Sequence, residues 1–213
     1  SEGKWTGISD YLLSIIEDKN GELWLGTLGN GIVRITPDNK NITKPKKVRY
    51  YTGKEGLPSL SSSRPYWFKN KIIWGTEKGL YFHNPSTDKF ESFCELGTQF
   101  CNGSTGVAYL QLMPNGRIYI SPVSNKKEHI GYLLPNNKGT YDWVYRPFCR
   151  LPEIAAIVES GGVYVEDTGI VWIGGNEGLF RYDERKDTKD YYQSFKCLVR
   201  EVKITSDSVV YYG

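Results

Sequence analysis

The chain has 213 residues, of which 39% are hydrophobic and 24% are charged, a composition typical of a globular protein with a sizeable core. Its 27 basic and 24 acidic residues leave a net charge of +3, which excludes the strongly basic surface expected of a nucleic-acid-binding protein. No stretch approaches the roughly 18 consecutive apolar residues of a membrane-spanning helix, so no membrane span is expected in this sequence.

Residue usage favours an all-β fold. Aromatic residues make up 14% of the chain, with 16 Tyr and 6 Trp, and there are 23 Gly and 10 Pro. Aromatic side chains suit the pleated surface of a sheet, whereas Gly and Pro mark the turns between strands. A lysine-rich stretch at residues 40–49 is interrupted by Pro and Asn. It is interpreted as a solvated loop or edge strand, with an anion-binding patch as the alternative.

The first predicted unit begins with an apolar strand and a tight turn. That turn contains Asp18 and Gly21, and the short strand after it carries Trp24 and ends before Gly26. Glycine in the turn permits the positive φ that tight hairpins need. The short strand is continuously apolar, which predicts that both of its faces are buried. The four predicted strands of this unit are residues 12–16, 23–25, 32–35 and 48–52.

Three later segments repeat this order of elements. The residue after each short strand is Gly26, Gly75, Ser121 or Gly174, and these positions are 49, 46 and 53 residues apart. A period of about 40–50 residues is typical of β-propeller blades, each of which is a four-stranded antiparallel sheet. The sequence therefore predicts an all-β fold of about four propeller blades. The other predicted strands are residues 72–74, 80–83, 90–93, 118–120, 141–145, 171–173, 179–182 and 190–195.

Large aromatic side chains on the short strands are expected to fill the gaps between blades. Trp24, Tyr119 and Trp172 take the same position in their segments. In the second segment Ile73 takes that position and Trp74 comes one residue later, which predicts that Trp74 faces the opposite side of its sheet. Turn residues complete the predicted structural motif, and they are Asp18, Gly21, Asp167 and Gly169.

The repeats also predict the organisation of the chain. The propeller blades are expected within residues 1–194, and residues 195–213 are expected to be a terminal strand or linker. The predicted blade boundaries are approximately residues 1–52, 53–93, 94–146 and 147–194.

Three segments resemble the two-component regulator propeller repeat. They are EDKNGELWLGT from Glu17, IIWGTEKGLYF from Ile72 and VWIGGNEGLFRYD from Val171. The stretch YYTGKEGLP from Tyr50 is similar to the family's link between an outer strand and the next inner strand. The third segment departs from the pattern because it lacks the Trp-x-Gly-Thr core. The tail FKCLVREVKITSDSVVYYG from Phe195 is similar to the join between the last blade and a Tyr-rich β-sandwich in hybrid two-component sensors.

This resemblance implies a larger parent protein. The parent would be a sensor histidine kinase of the Bacteroides-type hybrid two-component systems, in which seven- or eight-bladed periplasmic propellers detect a ligand, commonly a glycan breakdown product. The chain would be the C-terminal part of such a propeller. It would be a non-enzymatic periplasmic sensing module with an oligosaccharide ligand and no cofactor, and the kinase and phosphorelay would lie outside it. A protein-interaction propeller is the alternative, followed by a propeller glycosidase or lyase.

Candidate ligand-binding residues lie in the predicted loops of one propeller face. The turn between the second and third strands of a blade shares a face with the connection to the next blade, and ligands are expected there. Sugars are bound by aromatic platforms together with amide and charged groups. Tyr66, Trp67 and Trp143 are interpreted as such platforms or, alternatively, as blade packing. The polar candidates are Asn30, Arg64, Glu77, Lys78, Gln99, Asn102, Arg150, Asn176 and Glu177.

Catalytic and metal-binding signals are weak. The two histidines, His83 and His129, are not accompanied by a metal or nucleophile motif, and a structural or surface role is expected for His83. A glycosidase would need two convergent carboxylates, for which Glu77 and Glu177 in equivalent turns are the obvious pair. Asp18 before a glycine is interpreted as a turn former, with the Asp-box of sialidases as the alternative. Its loop offers too few oxygen ligands for calcium.

Cysteine usage and the number of blades leave two questions open. Cys94, Cys101, Cys149 and Cys197 are buried free thiols, or Cys94 and Cys101 form a bridge in an oxidising compartment.

Four blades would make about half of the implied ring and leave apolar blade faces uncovered. The chain is therefore expected to be a small closed ring, an open arc cut from a larger propeller, or a homodimer that covers those faces.

Overall fold

The strands of this computed structural model follow the order that the repeats predict. The structure describes residues 11–41, 44–123, 130–149, 162–175, 178–193, 199, 201–205 and 208–212. Antiparallel pairing in chain order joins the first twelve strands into three four-stranded sheets, here called blades 1, 2 and 3. Blade 1 contains β1 (Leu12–Glu17), β2 (Leu23–Thr27), β3 (Ile32–Thr36) and β4 (Lys47–Tyr51). Blade 2 contains β5 (Arg64–Phe68), β6 (Lys71–Thr76), β7 (Gly79–Asn84) and β8 (Lys89–Ser92). Blade 3 contains β9 (Gly106–Leu112), β10 (Ile118–Val123), β11 (Gly131–Pro135) and β12 (Tyr141–Val144).

The last five strands form two smaller sheets. Blade 4 is the three-stranded sheet β13 (Val163–Val165), β14 (Ile170–Gly175) and β15 (Gly178–Asp183). A separate hairpin pairs β16 (Glu201–Thr205) with β17 (Ser208–Tyr212). The prediction of an all-β fold made of four-stranded antiparallel propeller blades is confirmed, with blades 1 to 3 complete in the described residues.

The outer strand predicted at residues 190–195 differs from the structure. Residues 190–193 form a turn and irregular backbone, and residues 194 and 195 lie outside the described part of the chain. The Asp190 carboxylate accepts a hydrogen bond from the backbone N–H of Tyr192 at 2.9 Å, and the Asp187 carboxylate accepts one from the hydroxyl of Tyr191 at 2.6 Å. Such local side-chain bonds stabilise turns in competition with a strand ladder.

Consecutive blades pack face to face through apolar clusters. Trp24 and Trp74 lie in the cluster between blades 1 and 2, whereas Ile73 lies in the cluster between blades 2 and 3. Trp74 therefore faces the opposite side of its sheet from Ile73, as its one-residue offset predicts. Tyr119 lies in the third cluster, between blades 3 and 4, so it occupies the position in its blade that Trp24 has in blade 1.

Close approach of the next blade explains why glycine follows the short strands of blades 1 and 2. A Cβ atom at Gly26 would lie 1.9 Å from the carbonyl oxygen of Ser63, and one at Gly75 would lie 2.4 Å from that of Val107. Both oxygens belong to the chain at the inner edge of the next blade, so glycine is what permits this close approach. At Gly174 in blade 4, the nearest atom to a Cβ would be the Gly162 carbonyl oxygen at 3.6 Å. Among the described residues, no further strand packs against that side of blade 4.

The uncovered side of blade 4 carries large apolar side chains, with Arg181 over the ring of Trp172. Tyr164 is 63% exposed and Leu179 is 68% exposed, and Trp172 beside them is only partly buried. Tyr164 pairs with Trp172 across β13 and β14, so the two side chains share one face of the sheet. This surface is called the blade 4 face below, and it is defined by Tyr164, Trp172, Gly174 and Leu179.

A disulfide fixes the connection between blades 2 and 3. Cys94 is bonded to Cys101, and the short 3-10 turn between them places Phe100 in the core with 2% exposure. Of the two cysteines outside this bridge, Cys149 is a free exposed thiol and Cys197 lies outside the described residues. The helices of the described chain are all single 3-10 turns, and none is long and apolar enough to cross a membrane.

Candidate functional site

A cleft of about 410 Å³ lies between blades 1 and 2. It is called the blade 1–2 cleft, and it opens on the side of the turns that join β1 to β2 and β5 to β6. Its volume lies within the range of about 300–1,000 Å³ typical of small-molecule sites. Its lining residues are Asp18, Lys19, Asn20, Glu22, Trp24, Arg34, Trp67, Asn70, Lys71, Ile72, Trp74, Phe82, His83 and Pro85.

The turn between β1 and β2 holds Trp24 in position in this cleft. Gly21 has φ +76°, and its N–H donates to the Asp18 carbonyl at 3.1 Å, which closes the turn. The Asp18 carboxylate then accepts a hydrogen bond from the indole Nε1–H of Trp24 at 2.9 Å, and two more from the backbone N–H groups of Asn20 and Glu22. The tight turn and the buried ring therefore stabilise each other.

Trp24 lies among aromatic rings of both blades. Its ring centroid is 5.5 Å from that of Tyr51, 5.0 Å from that of His83 and 6.3 Å from that of Trp74. The guanidinium of Arg34 lies over its ring at 5.3 Å. Aromatic and cation–π contacts of this kind add to the free energy gained by burial, and they fix the orientation of the rings.

Charged groups cross the interface between blades 1 and 2 as a connected network. Glu22 pairs with Arg34 at 2.8 Å, and Arg34 donates to the hydroxyl of Tyr51 at 3.3 Å. The Tyr51 hydroxyl donates to Asp88 of blade 2 at 2.9 Å. Asp88 also lies 2.9 Å from His83 Nε2, and Arg49 of blade 1 pairs with it at 2.6 Å.

Burial and these contacts set the protonation of the network. Burial lowers the pKa of His83 and outweighs the opposite effect of its contact with Asp88. Burial, followed by the bond to Asp88, raises the pKa of Tyr51 and keeps its hydroxyl neutral. For Asp88, burial would raise the pKa, but the hydrogen bonds from His83 and Tyr51 and the charge of Arg49 lower it overall. A neutral His83 therefore faces an ionised Asp88 at neutral pH.

The mouth of the cleft is polar on both walls, and one aromatic side chain is accessible. Trp67 is 38% exposed there. In the part of the chain that the structure describes, the side-chain amides of Asn20 and Asn70 and the ammonium of Lys19 make no hydrogen bond or ion pair. Lys71 lies 3.5 Å from the exposed carboxylate of Glu95. The groups that remain open to a ligand are therefore amides, ammonium groups and an indole ring.

The polar candidates that the structure describes lie elsewhere, in the loops on the opposite side of the blades. Glu77 accepts hydrogen bonds from Ser61 Oγ at 2.6 Å and Ser59 Oγ at 3.0 Å, so it fastens the connection between blades 1 and 2. Arg64 donates to the Ala108 carbonyl of blade 3 at 3.4 Å. These two side chains therefore already contact protein groups.

The other candidates are spread over separate loops. Asn30 and Lys78 donate backbone N–H groups to Thr27 Oγ1 and Thr76 Oγ1 in equivalent turns of blades 1 and 2. The Asn102 side chain accepts two hydrogen bonds from Ser104. The remaining candidate that the structure describes is Gln99, whose amide folds back toward Gly97. Those outside the described residues are Arg150, Asn176 and Glu177. Ligand binding by this set stays a prediction.

The three proposed aromatic platforms have different surroundings. Tyr66 packs on the core between blades 2 and 3, and its hydroxyl donates to the Ala108 carbonyl at 2.6 Å. Trp143 packs on the same core and contacts Phe100, with ring centroids 5.8 Å apart. Of these three, Trp67 alone lines the blade 1–2 cleft.

Sequence reasoning missed the carboxylate that orients the indole of blade 4. Glu166 Oε1 accepts the Nε1–H of Trp172 at 2.6 Å, whereas the repeat alignment selected Asp167. Glu166 is six residues before its tryptophan, as Asp18 is before Trp24, and this spacing in the sequence was the available signal. In blade 3 the same position holds Met113, which cannot accept a strong hydrogen bond.

One family model matches the chain. Residues 6–29 match the model described as the two component regulator propeller. Residues 6–29 are therefore similar to a two-component regulator propeller repeat. This propeller repeat includes β1, β2 and the Asp18–Trp24 pair, so it builds one wall of the blade 1–2 cleft. No curated protein matches the sequence.

Solved structures match the propeller fold over most of the chain. One is described as the extracellular domain of a hybrid two component system, BT3049, from B. thetaiotaomicron, with TM-score 0.56 and 20% identity over 86% of this chain and 24% of that chain. A second carries the same description for BT4673 of B. thetaiotaomicron, with TM-score 0.51 and 12% identity over 92% of this chain and 34% of that chain. The present chain therefore spans about a quarter to a third of these structures, and at this identity the likeness concerns the fold.

Proposed function

We propose that this chain is a ligand-sensing module of an extracytoplasmic two-component sensor and that its ligand is derived from a glycan. The observation that carries the proposal is the propeller repeat at residues 6–29, whose strands and Asp18–Trp24 pair form one wall of the blade 1–2 cleft. The kinase that reads the signal, and the phosphorelay after it, would lie in other parts of a larger protein. The C-terminal part of a seven- or eight-bladed propeller is the proposed place of this chain in that protein.

A periplasmic location is part of the same proposal. The Cys94–Cys101 bridge supports it, because disulfides form and persist in oxidising compartments such as the bacterial periplasm. The extracellular domains named in the two matched structures also support it by analogy of fold.

A binding role, without catalysis, fits the described carboxylates best. Glu77 is engaged by two serine hydroxyls, and Asp18 and Glu22 are engaged by donors of their own blade. The general acid of a glycosidase is a carboxyl with a raised pKa near a second carboxylate. Of the carboxyl groups whose pKa shifts, those described here have lowered values, for example Asp88 and Asp183.

A panel of glycan fragments tests the proposed function. We expect at least one oligosaccharide to raise the melting temperature of the folded chain and to give a saturable isotherm in calorimetry. A ligand at 100 times its Kd stabilises the folded state by about 2.7 kcal/mol, which is readily measured. If a panel that covers neutral, acidic and amino sugars produces neither a shift nor heat, glycan sensing by this chain is wrong.

A protein-interaction propeller is the second candidate, and one observation favours it. The blade 4 face exposes Tyr164 and Leu179 beside the partly buried Trp172, over whose ring Arg181 lies, and exposed apolar side chains grouped in this way mark interaction sites. Substitutions on this face that abolish recognition of a protein partner, while those in the cleft have no effect, would favour this candidate.

A further inference from the structure

The carboxylates inside the blade 1–2 cleft are already bonded to protein donors. Asp18 accepts from the Trp24 indole and from two backbone N–H groups. Glu22 pairs with Arg34 at 2.8 Å and accepts from the hydroxyl of Thr36 at 2.7 Å. These carboxylates hold the wall of the cleft together, and little of their accepting capacity is left for a ligand.

The groups that remain open at the mouth are mainly donors, and they come from both blades. Lys19 and Asn20 lie on the turn of blade 1, and Asn70 and Lys71 lie on the turn of blade 2. The Lys19 ammonium has no acidic partner in the described residues, and the 3.5 Å contact of Lys71 with Glu95 is exposed to solvent. An exposed pair of this kind contributes little, so Lys71 can turn to a ligand at small cost.

Apolar side chains line the cleft beside these donors. Trp67 presents its ring at 38% exposure, and Ile72 and Phe82 line the cleft beside it. An indole face suits the apolar face of a sugar ring or a planar ring, because it buries a large area with little loss of side-chain freedom. The volume of about 410 Å³ suits a ligand of one or two rings.

We propose that the blade 1–2 cleft binds an acidic saccharide, in which a pyranose ring stacks on Trp67 and a ring carboxylate is held by Lys19, Lys71 and the asparagine amides. This inference rests on the proposed function and adds to it the place and the charge of the ligand. The place differs from the loops selected by sequence, because the cleft opens on the opposite side of the blades.

Two disaccharides, one with carboxylates and one without, test whether the ligand is acidic. Calorimetry on the whole chain would compare digalacturonate with β-1,4-galactobiose, and benzoate would represent a carboxylate on a ring that is not a sugar. We expect digalacturonate to bind at least tenfold more tightly than galactobiose and to quench tryptophan fluorescence, and we expect benzoate not to bind. We also expect the affinity for digalacturonate to fall as salt rises, because exposed charges are screened.

Variants of the chain test whether the ligand binds in the blade 1–2 cleft. Trp67→Ala is expected to weaken digalacturonate binding at least tenfold. Lys19→Gln, on an exposed turn, is expected to weaken it severalfold and to reduce its dependence on salt. Lys138→Gln is the matched control, since this exposed lysine lies on the turn between β11 and β12 of blade 3. Melting temperatures and circular dichroism would show that each variant is folded. If Trp67→Ala is not folded, Asn70→Ala replaces it.

The outcomes separate this inference from the proposed function. If galactobiose binds as tightly as digalacturonate or more tightly, the inference that the ligand is acidic is wrong, whereas the proposal of glycan sensing still holds. Binding of benzoate as tight as that of digalacturonate would make the ligand a ring acid other than a sugar, and it would overturn the saccharide. If the folded variants bind digalacturonate as tightly as the original chain, the inference that the ligand binds in the blade 1–2 cleft is wrong. If neither disaccharide binds, the inference is wrong, and the wider glycan panel then decides the proposed function.

Discussion

Two buried tyrosine hydroxyls make opposite contributions to the stability of the blades. The Tyr51 hydroxyl bridges Arg34 and Asp88, whereas the Tyr119 hydroxyl is buried without a hydrogen-bond partner in the described residues. We expect Tyr51→Phe to lower the free energy of unfolding by about 2 kcal/mol, because it leaves charged partners without their bond. We expect Tyr119→Phe to leave it unchanged or to raise it by up to about 1 kcal/mol, because no bond is lost.

Urea unfolding of the two variants measures this difference. Each is the control of the other, because both changes remove one oxygen atom from a ring that is at most 1% exposed. Equal losses of stability in the two variants would show that the Tyr119 hydroxyl has a partner in solution.

His83 makes the interface between blades 1 and 2 sensitive to pH. Burial lowers its pKa in the folded chain below the ordinary value of about 6.5 that it regains on unfolding. Below that value the unfolded chain binds more protons, so the contribution of neutral His83 to stability is present above pH 6.5 and is lost as pH falls toward the folded pKa. We therefore expect the free energy of unfolding to decrease between pH 7 and pH 5.

The variant His83→Gln tests this assignment. Its free energy of unfolding should change less between pH 7 and pH 5 than that of the original chain. His129 is present in both proteins, so the difference between their slopes isolates His83. The lowered pKa of Asp88 acts in a separate window below about pH 4, where its contribution is lost as the carboxylate takes up a proton. Identical slopes for the two proteins would contradict the role of His83.

At the scale of single elements, equivalent glycines in blades 1 and 4 have different neighbours. A Cβ at Gly26 would meet the Ser63 backbone at 1.9 Å, whereas among the described residues the nearest atom to a Cβ at Gly174 is 3.6 Å away. We expect Gly26→Ala to destabilise the chain by more than about 2 kcal/mol, because backbone must shift between blades 1 and 2. We expect Gly174→Ala to be nearly neutral. Thermal unfolding of both variants would test this, and a large loss in Gly174→Ala would mean that another strand covers blade 4.

The disulfide is the second element whose contribution can be measured. The bridge from Cys94 to Cys101 closes a loop with a sequence separation of 7, and Phe100 within it is buried. Loop-closure entropy for about eight residues corresponds to about 2–3 kcal/mol, so we expect the Cys94→Ser, Cys101→Ser double variant to lose about this much stability. The exposed thiol variant Cys149→Ser is the control and should unfold like the original chain. A reducing agent should lower the stability of the original chain and leave the double variant unchanged.

Local sequence patterns predicted the strands and their facing sides, but they did not predict features that depend on contacts between blades. The period of the repeats and the offset of Trp74 followed from side-chain alternation, which is a local rule. Glu166 was missed because a carboxylate one residue away, Asp167, also suits a turn. The blade 1–2 cleft was missed because it forms only when turns of two blades meet, and no local pattern records that distance. The prediction of a strand at residues 190–195 differs from the structure because aspartate side chains accept hydrogen bonds from neighbouring residues and stabilise a turn.

For the whole molecule, the row of blades ends on an apolar surface. Each of the first three blades buries its following side on the next blade, as the three interblade clusters show. Blade 4 presents the same side with Gly174 open and with Leu179 and Tyr164 exposed. In a larger propeller this side would meet another blade. In the isolated chain it is free to meet a second copy, since exposed apolar area of this kind promotes association.

We therefore expect the isolated chain to associate with itself through the blade 4 face. Light scattering should give a mass near 24.3 kDa in dilute solution and a higher mass as concentration rises. Leu179→Lys should keep the chain near the monomer mass at every concentration, because a charge on the apolar surface opposes burial. Leu28→Lys is the matched control, since Leu28 is 54% exposed on the turn between β2 and β3 of blade 1. If both lysine variants associate like the original chain, the contact lies on another surface. A mass that stays at the monomer value throughout would mean that the blade 4 face needs a partner other than this chain.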